Sequence, residues 1–145
     1  MDFFSQVEAK PEQYRDIVSI FVDTATYAKT RSKITQYAED IQSYLWSTRV
    51  SLFVVDSGTD PVKIAAKNEK LYYEWDGGTG ISRLVWTILI GNIPIPMVDD
   101  AWSYFPTLYP YVDFVDKAFV YHPRLREYKA SPEANRKTIE ADIWH

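Results

Sequence analysis

Residues 48–74 read TRVSLFVVDSGTDPVKIAAKNEKLYYE, and two changes of pattern within them decide the fold. Thr48 to Val55 is an apolar, β-branched run with the makeup of a buried strand. Asp56-Ser57-Gly58 is a turn signal. Asp60-Pro61 then offers an N-cap followed by proline at the first helical position, where a missing N–H costs nothing. From there Ile64, Asn68, Leu71, Tyr72 and Trp75 share one stripe, which predicts a helix to about Glu74. A strand, a short turn and a helix form the repeating step of a parallel α/β fold.

Working outward, the same step recurs on both sides. Upstream, Asp16 to Val22, "DIVSIFV", reads as a strand, and Arg31 to Trp46 places Ile34, Tyr37, Ala38, Ile41 and Leu45 at helical spacing. Downstream, "DGGTG" at 76–80 ends the helix, and Arg83 to Ile90 forms a third strand too continuously apolar to have a wet face. It leads into "TILIGNIPIP", where Gly91 turns the chain and Pro94 and Pro96 hold the exit extended. The order predicts an α/β, three-layer sandwich: a mainly parallel sheet of about four strands with helices on both faces.

The pattern breaks after residue 100. Eight of the 21 residues from Ala101 to Tyr121 are aromatic, which predicts a structured irregular segment feeding a fourth strand at 116–122. Residues 123–145 are a polar tail with a helix start at Ser131-Pro132-Glu133. The chain of 145 residues reads as a single domain with its core over 16–122. It carries no internal repeat or low-complexity tract.

Composition excludes several classes of function. A formal charge of −4 provides no basic footprint for nucleic acid or for an anionic membrane surface. With no cysteine, a disulfide framework, a thiolate metal site and a cysteine nucleophile are all excluded within this chain. "MDFFSQVEAK" lacks the basic and apolar regions of a secretory signal. The longest apolar run, about 15 residues interrupted by two prolines, falls short of a bilayer span.

Ligands of open α/β sheets collect at the carboxyl ends of the strands. Asp23 with Thr24, Asp56 with Ser57, and Asn92 stand at such ends. Together with Asp113 they make an acidic edge that could hold a divalent cation or a polar ligand. The competing reading is that short polar residues end strands by making turns and capping helices. Paired carboxylates at Asp99-Asp100 and at Asp113 and Asp116 admit acid–base chemistry or loop capping in the same way. His122 and His145 are the only histidines, Ser57 lacks the flanking glycine of a nucleophile elbow, and "DGGTG" opens a strand rather than the helix a phosphate loop needs. Trp102, Tyr104, Tyr109 and Tyr111 offer an aromatic surface for a sugar, a peptide or another chain, or else a lid over the core.

These elements together resemble a known family. "ILIGN" followed at once by "IPIP", then "YPYVDF" and "KAFVYH", is similar to the gingipain-type cysteine peptidases. The preceding strand-helix-strand-helix resembles the first α/β subdomain of that caspase-like fold. Similar runs occur in large predicted surface proteins of uncultured bacteria. The resemblance covers about residues 16–122. It implies a place in a larger architecture whose catalytic His and Cys lie in a following subdomain. Asn92 stands where the family commonly has Asp. The expectation is therefore a non-catalytic structural or interaction module without a cofactor. Its partner is expected to be the following subdomain or another protein chain, met through the aromatic segment; the sequence leaves the compartment open and admits an extracytoplasmic parent protein. The alternatives are a hydrolase or metal-dependent enzyme using the acidic edge, and an aromatic-lined carbohydrate- or peptide-binding module.

Overall fold

The structure is a computed structural model and describes residues 3–6, 16–73, 83–115, 117–131 and 141–143. Its first half builds a four-stranded sheet from β1 (Phe3–Gln6), β2 (Asp16–Asp23), β3 (Thr48–Val55) and β4 (Arg83–Ile90), with α1 (Thr24–Tyr44) and α2 (Pro61–Tyr73) in the crossovers. The strand order is β1-β3-β2-β4. β3, β2 and β4 run parallel, as the alternation of elements predicts, and β1 adds to β3 antiparallel. β1 lies in a stretch whose polar and apolar residues carry no periodic strand signal.

Register assigns the faces. In β2 and β3 the pairs Val18–Val50, Ile20–Leu52 and Val22–Val54 point to one side, where Ile34 and Ala38 of α1 cover them. Ile17, Phe21, Phe53 and Val55 point to the other, under Ile64 and Leu71 of α2. The Phe21 and Phe53 rings stack there, 4.9 Å apart. β4 would present the wrong residues to each face if it paired regularly. Its register shifts between Ile17–Leu84 and Val18–Trp86, so Val85 is an extra residue. This bulge sends Leu84, Thr87 and Leu89 to the α2 side and Trp86, Ile88 and Ile90 to the α1 side.

α1 begins seven residues earlier than the periodicity predicts because its phase breaks at Thr30. That residue has non-helical torsions, φ −128° and ψ 19°, and its hydroxyl donates to the Thr26 carbonyl at 2.7 Å, a back-bond that bends helices. The apolar spacing can be followed only beyond this kink. Even there Tyr37 and Leu45, expected to face the core, are exposed.

The second half forms a separate small sheet. β5 (Met97–Asp99), β6 (Tyr104–Pro106), a 3₁₀ turn (Tyr109–Tyr111), β7 (Phe119–His122) and β8 (Glu127–Ala130) follow, in the order β6-β5-β8-β7. Two antiparallel hairpins, β5–β6 and β7–β8, join through the parallel pair β5–β8. The predicted fourth strand therefore exists but belongs to this second sheet, and β8 lies in what reads as a polar tail. Tyr128 of β8 and Ile143 are buried, with Ile143 in the α2-side core, so the core extends past residue 122. The predicted helix start at 131–133 and the "DGGTG" turn lie outside the described residues, apart from Ser131.

Candidate functional site

The carboxyl edge of the first sheet is organised around Asp23. As N-cap of α1, its Oδ1 accepts from the Thr26 N–H at 3.0 Å, satisfying one of the donors a helix start leaves open. Its Oδ2 accepts from the Thr26 hydroxyl at 2.5 Å and from the Asn92 N–H at 2.7 Å. The Thr26 hydroxyl first, and then the N–H groups of Thr26 and Asn92, hold the carboxyl below the usual carboxylate range against a burial that pushes it up. A carboxylate engaged by three donors is a poor proton acceptor.

Gly91 completes this corner. It has φ +82°, and a Cβ built there would lie 1.9 Å from Asp23 Oδ2 and 2.5 Å from Thr26 Oγ1. Glycine is required twice, for the left-handed backbone and for the close approach. Asp56 joins the same edge: the Thr24 hydroxyl donates to its Oδ1 at 2.8 Å. Asp23, Asp56 and the Asn92 backbone are thus brought together, by capping and turn contacts.

Asp113 is elsewhere. It is buried beneath α2, where its oxygens accept from the N–H groups of Lys117 and Ala118 at 3.1 and 2.8 Å, closing the loop before β7. Asp142 braces the same loop by accepting from the N–H groups of Phe114 and Val115. The four-residue edge read from the sequence is therefore corrected to three residues at one end of the sheet, with Asp113 serving a different loop. Among the described residues, no group of three or more His, Asp and Glu side chains is placed to hold a metal ion.

The Asp99-Asp100 pair also resolves into a turn. Asp99 accepts from the Ala101 N–H, and Asp100 accepts from the N–H groups of Trp102 and Ser103. Those two N–H groups, Ser103 first, draw the Asp100 carboxyl below its ordinary range. They leave it no role as an acid at neutral pH. Asp116 lies outside the described residues, as does His145, and His122 is exposed.

The four aromatic residues divide. Trp102, at the tip of the β5–β6 hairpin, is 94 % exposed and Tyr104 is 59 % exposed. Tyr109 is half-buried, edge-on to Phe119 at 6.2 Å. Tyr111 is fully buried and belongs to the core, which corrects its expected place on the surface. Its hydroxyl donates to the Pro94 carbonyl, so the rigid "IPIP" exit and the aromatic segment are fastened to each other. Proline fixes φ at residue 94 and so stiffens the segment that carries this carbonyl, and a buried phenol needs an acceptor.

A polar cluster escapes the acidic-edge reading altogether. Ser19, Asn68 and Thr87 are buried at the centre of the α2 face. Ser19 Oγ is 2.7 Å from Asn68 Oδ1 and 2.8 Å from Thr87 Oγ1, while Asn68 Nδ2 is 3.2 Å from Thr87 Oγ1 and 3.0 Å from the Tyr111 carbonyl. Each hydroxyl has a single proton, which fixes the directions. Ser19 donates to Asn68, Thr87 donates to Ser19, and the Asn68 amide donates to both Thr87 and the Tyr111 carbonyl. Every donor proton is used. The available signal was a Ser inside an apolar strand and an Asn on an apolar helical stripe.

Comparison of the chain with protein-family models, with curated proteins and with solved structures finds no match in any of the three.

Proposed function

We propose that the chain is a non-catalytic interaction module, a three-layer α/β sandwich built like the first subdomain of a gingipain-type peptidase, which docks a β-strand of another polypeptide on β4. One observation carries this reading. β4, RLVWTILI, has the composition of a central strand, yet among the described residues it pairs only with β2. Its Ile88, Leu89 and Ile90 are half-buried and Trp86 is 44 % exposed, whereas the equivalent stretch of β2 is buried throughout. Long apolar edges are what strand addition recognises, through main-chain hydrogen bonds and alternate side-chain pockets. The Val85 bulge confines a regular edge to Trp86–Ile90. In a gingipain-like architecture the polypeptide that follows this subdomain would supply the strand, and a second copy of the chain serves as its surrogate at high concentration.

Support for the non-catalytic part comes from the carboxylates. Asp23, Asp99, Asp100 and Asp113 all accept backbone N–H groups, a structural use that opposes proton transfer.

Hydrogen exchange at low and high protein concentration, alongside sedimentation velocity, tests the docking edge. Amides of 86–90 are expected to exchange faster than those of 17–22 in dilute protein. They should gain protection as the chain associates, and Trp86→Lys should abolish both the association and the protection. A monomer at all concentrations whose β4 amides are as protected as those of β2 would overturn the proposal. So would hydrolysis of Arg- and Lys-containing peptides above the uncatalysed rate, for its non-catalytic part.

A further inference from the structure

A cavity of about 270 Å³ opens between α2 and the second sheet and takes no residue from β4. Its origin is a mismatch of size. α2 contributes the small side chains of Ala65 and Ala66, while Phe114 and the β7 residues Phe119 and Val120 line the rest. A cavity of roughly 150 Å³ accepts a benzene ring, so this one has room for a ring with a short arm, on the order of ten non-hydrogen atoms.

Polar contacts hold these walls apart. Asp113 accepts from the N–H groups of Lys117 and Ala118, across a turn in which Lys117 is left-handed at φ +47°, and this fixes where β7 begins. Asp142 accepts from the N–H groups of Phe114 and Val115. The Tyr121 hydroxyl of β7 donates to Asp60, just before α2. A void whose walls are pinned cannot relax to close, and the apolar atoms around it lack neighbours that a ligand would supply.

The charged residues on the lining are Glu69, Asp113 and Lys117, and all three are engaged already. Lys117 Nζ is 2.8 Å from Glu69 Oε1, and both oxygens of Asp113 accept backbone N–H groups. A charged ligand would compete with these pairings or go unpaired in a largely apolar space. A neutral one leaves them in place.

We infer that this cavity binds a small neutral molecule with an aromatic or branched aliphatic body, taken up by contact with Ala65, Ala66, Phe114, Phe119 and Val120. Phenethyl alcohol is the probe. Phenethylamine, its cationic isostere, and phenylacetate, an anion of similar size, are the controls. Titration of the full chain followed by ¹H–¹⁵N spectra should show phenethyl alcohol shifting Ala65, Ala66, Phe119 and Val120, with saturation in the millimolar range. Both charged analogues should bind at least about 10-fold more weakly. Ala66→Phe, at an exposed position of α2, fills the space from the protein's own side. It should weaken binding by about 10-fold or more and leave the melting temperature unchanged. Trp86→Lys should bind the probe like wild type, so loss of docking on β4 and loss of this site are read separately. Absence of a saturable shift at millimolar probe, shifts lying outside the cavity residues, equal binding of either charged analogue, or unchanged affinity in Ala66→Phe would each overturn the inference. Should Ala66→Phe unfold, Val120→Ser, at an exposed strand position, carries the same test, with a several-fold loss of affinity expected and an unchanged affinity overturning the inference.

Discussion

Both oxygens of the Asp23 carboxylate are engaged, one by the start of α1 and the other by the Thr26 hydroxyl and the turn that leaves β4. The direction of its pKa shift fixes the pH dependence. A folded-state value below the ordinary carboxylate range means that the unfolded chain binds the proton more readily. The carboxylate's contribution is then complete above the unfolded value and is lost as pH falls through the folded one. Asp23→Asn keeps a competent cap but presents an amide where the Asn92 or Thr26 donors need an oxygen. It should cost on the order of 1–2 kcal/mol at neutral pH. The gap to wild type should close progressively below about pH 4 in acid denaturation followed by circular dichroism. A gap that persists unchanged into strong acid would show that the charge contributes nothing. The sequence marks Asp23 as a strand-end residue but is silent on its second duty, because Asn92 lies 69 positions away and no local pattern couples the two.

Between elements, the Ser19–Asn68–Thr87 cluster ties β2, α2 and β4 to the turn at Tyr111. Such a cluster holds α2 in one register on the sheet, since sliding the helix would separate the amide from three partners at once. Asn68→Leu keeps the volume but strands Ser19, Thr87 and the Tyr111 carbonyl, and should cost about 2–4 kcal/mol in urea unfolding. Ser51, beside Ser19 in the adjacent strand, is the internal control. Among the described residues its buried hydroxyl has no partner, so Ser51→Ala should be neutral or stabilising. If Ser51→Ala is as damaging as Asn68→Leu, pairing is not what distinguishes these sites. At this scale the elements were readable where periodicity was unbroken: β2, β3, β4 and α2 were all placed. α1 was half seen because Thr30 interrupts its phase, and β5, β6 and β8 are too short, at three or four residues, to carry an alternation.

At the level of the whole molecule, the two sheets are joined through a few polar contacts as well as the shared core. Asp60 caps α2 through the Val62 N–H and receives the Tyr121 hydroxyl from β7, while Glu69 of α2 pairs with Lys117. Burial pushes the Tyr121 phenol up to about 12, with the bond to Asp60 adding to it. That contact therefore persists through the physiological pH range. A parallel α/β core was legible because crossover helices impose it on the sequence. The second sheet was not, since its parallel pair β5–β8 joins residues some thirty positions apart. The composition could show only that the segment was rich in aromatic residues. The candidate site followed the same rule. Individual strand-end residues were visible, but which of them meet, and that Asp113 does not, depends on a fold in which 113 sits under α2.

The Gly91 corner also has a meaning in time. As the chain leaves the ribosome, Asp23 can cap α1 long before Asn92 exists, so β2, α1 and β3 are all synthesised while the carboxylate still lacks its third donor. We propose that β4 is the last of the parallel strands to join and closes the corner by bringing in the Asn92 N–H. Late contacts govern how fast a protein comes apart rather than how fast it forms. Gly91→Ala, which forces a left-handed alanine into the Asp23 carboxylate, should therefore accelerate unfolding by roughly 10-fold or more, the kinetic equivalent of at least 1–2 kcal/mol. It should leave the refolding rate in stopped-flow experiments nearly unchanged. A slowed refolding limb with an unaltered unfolding limb would place this corner at the beginning of assembly instead.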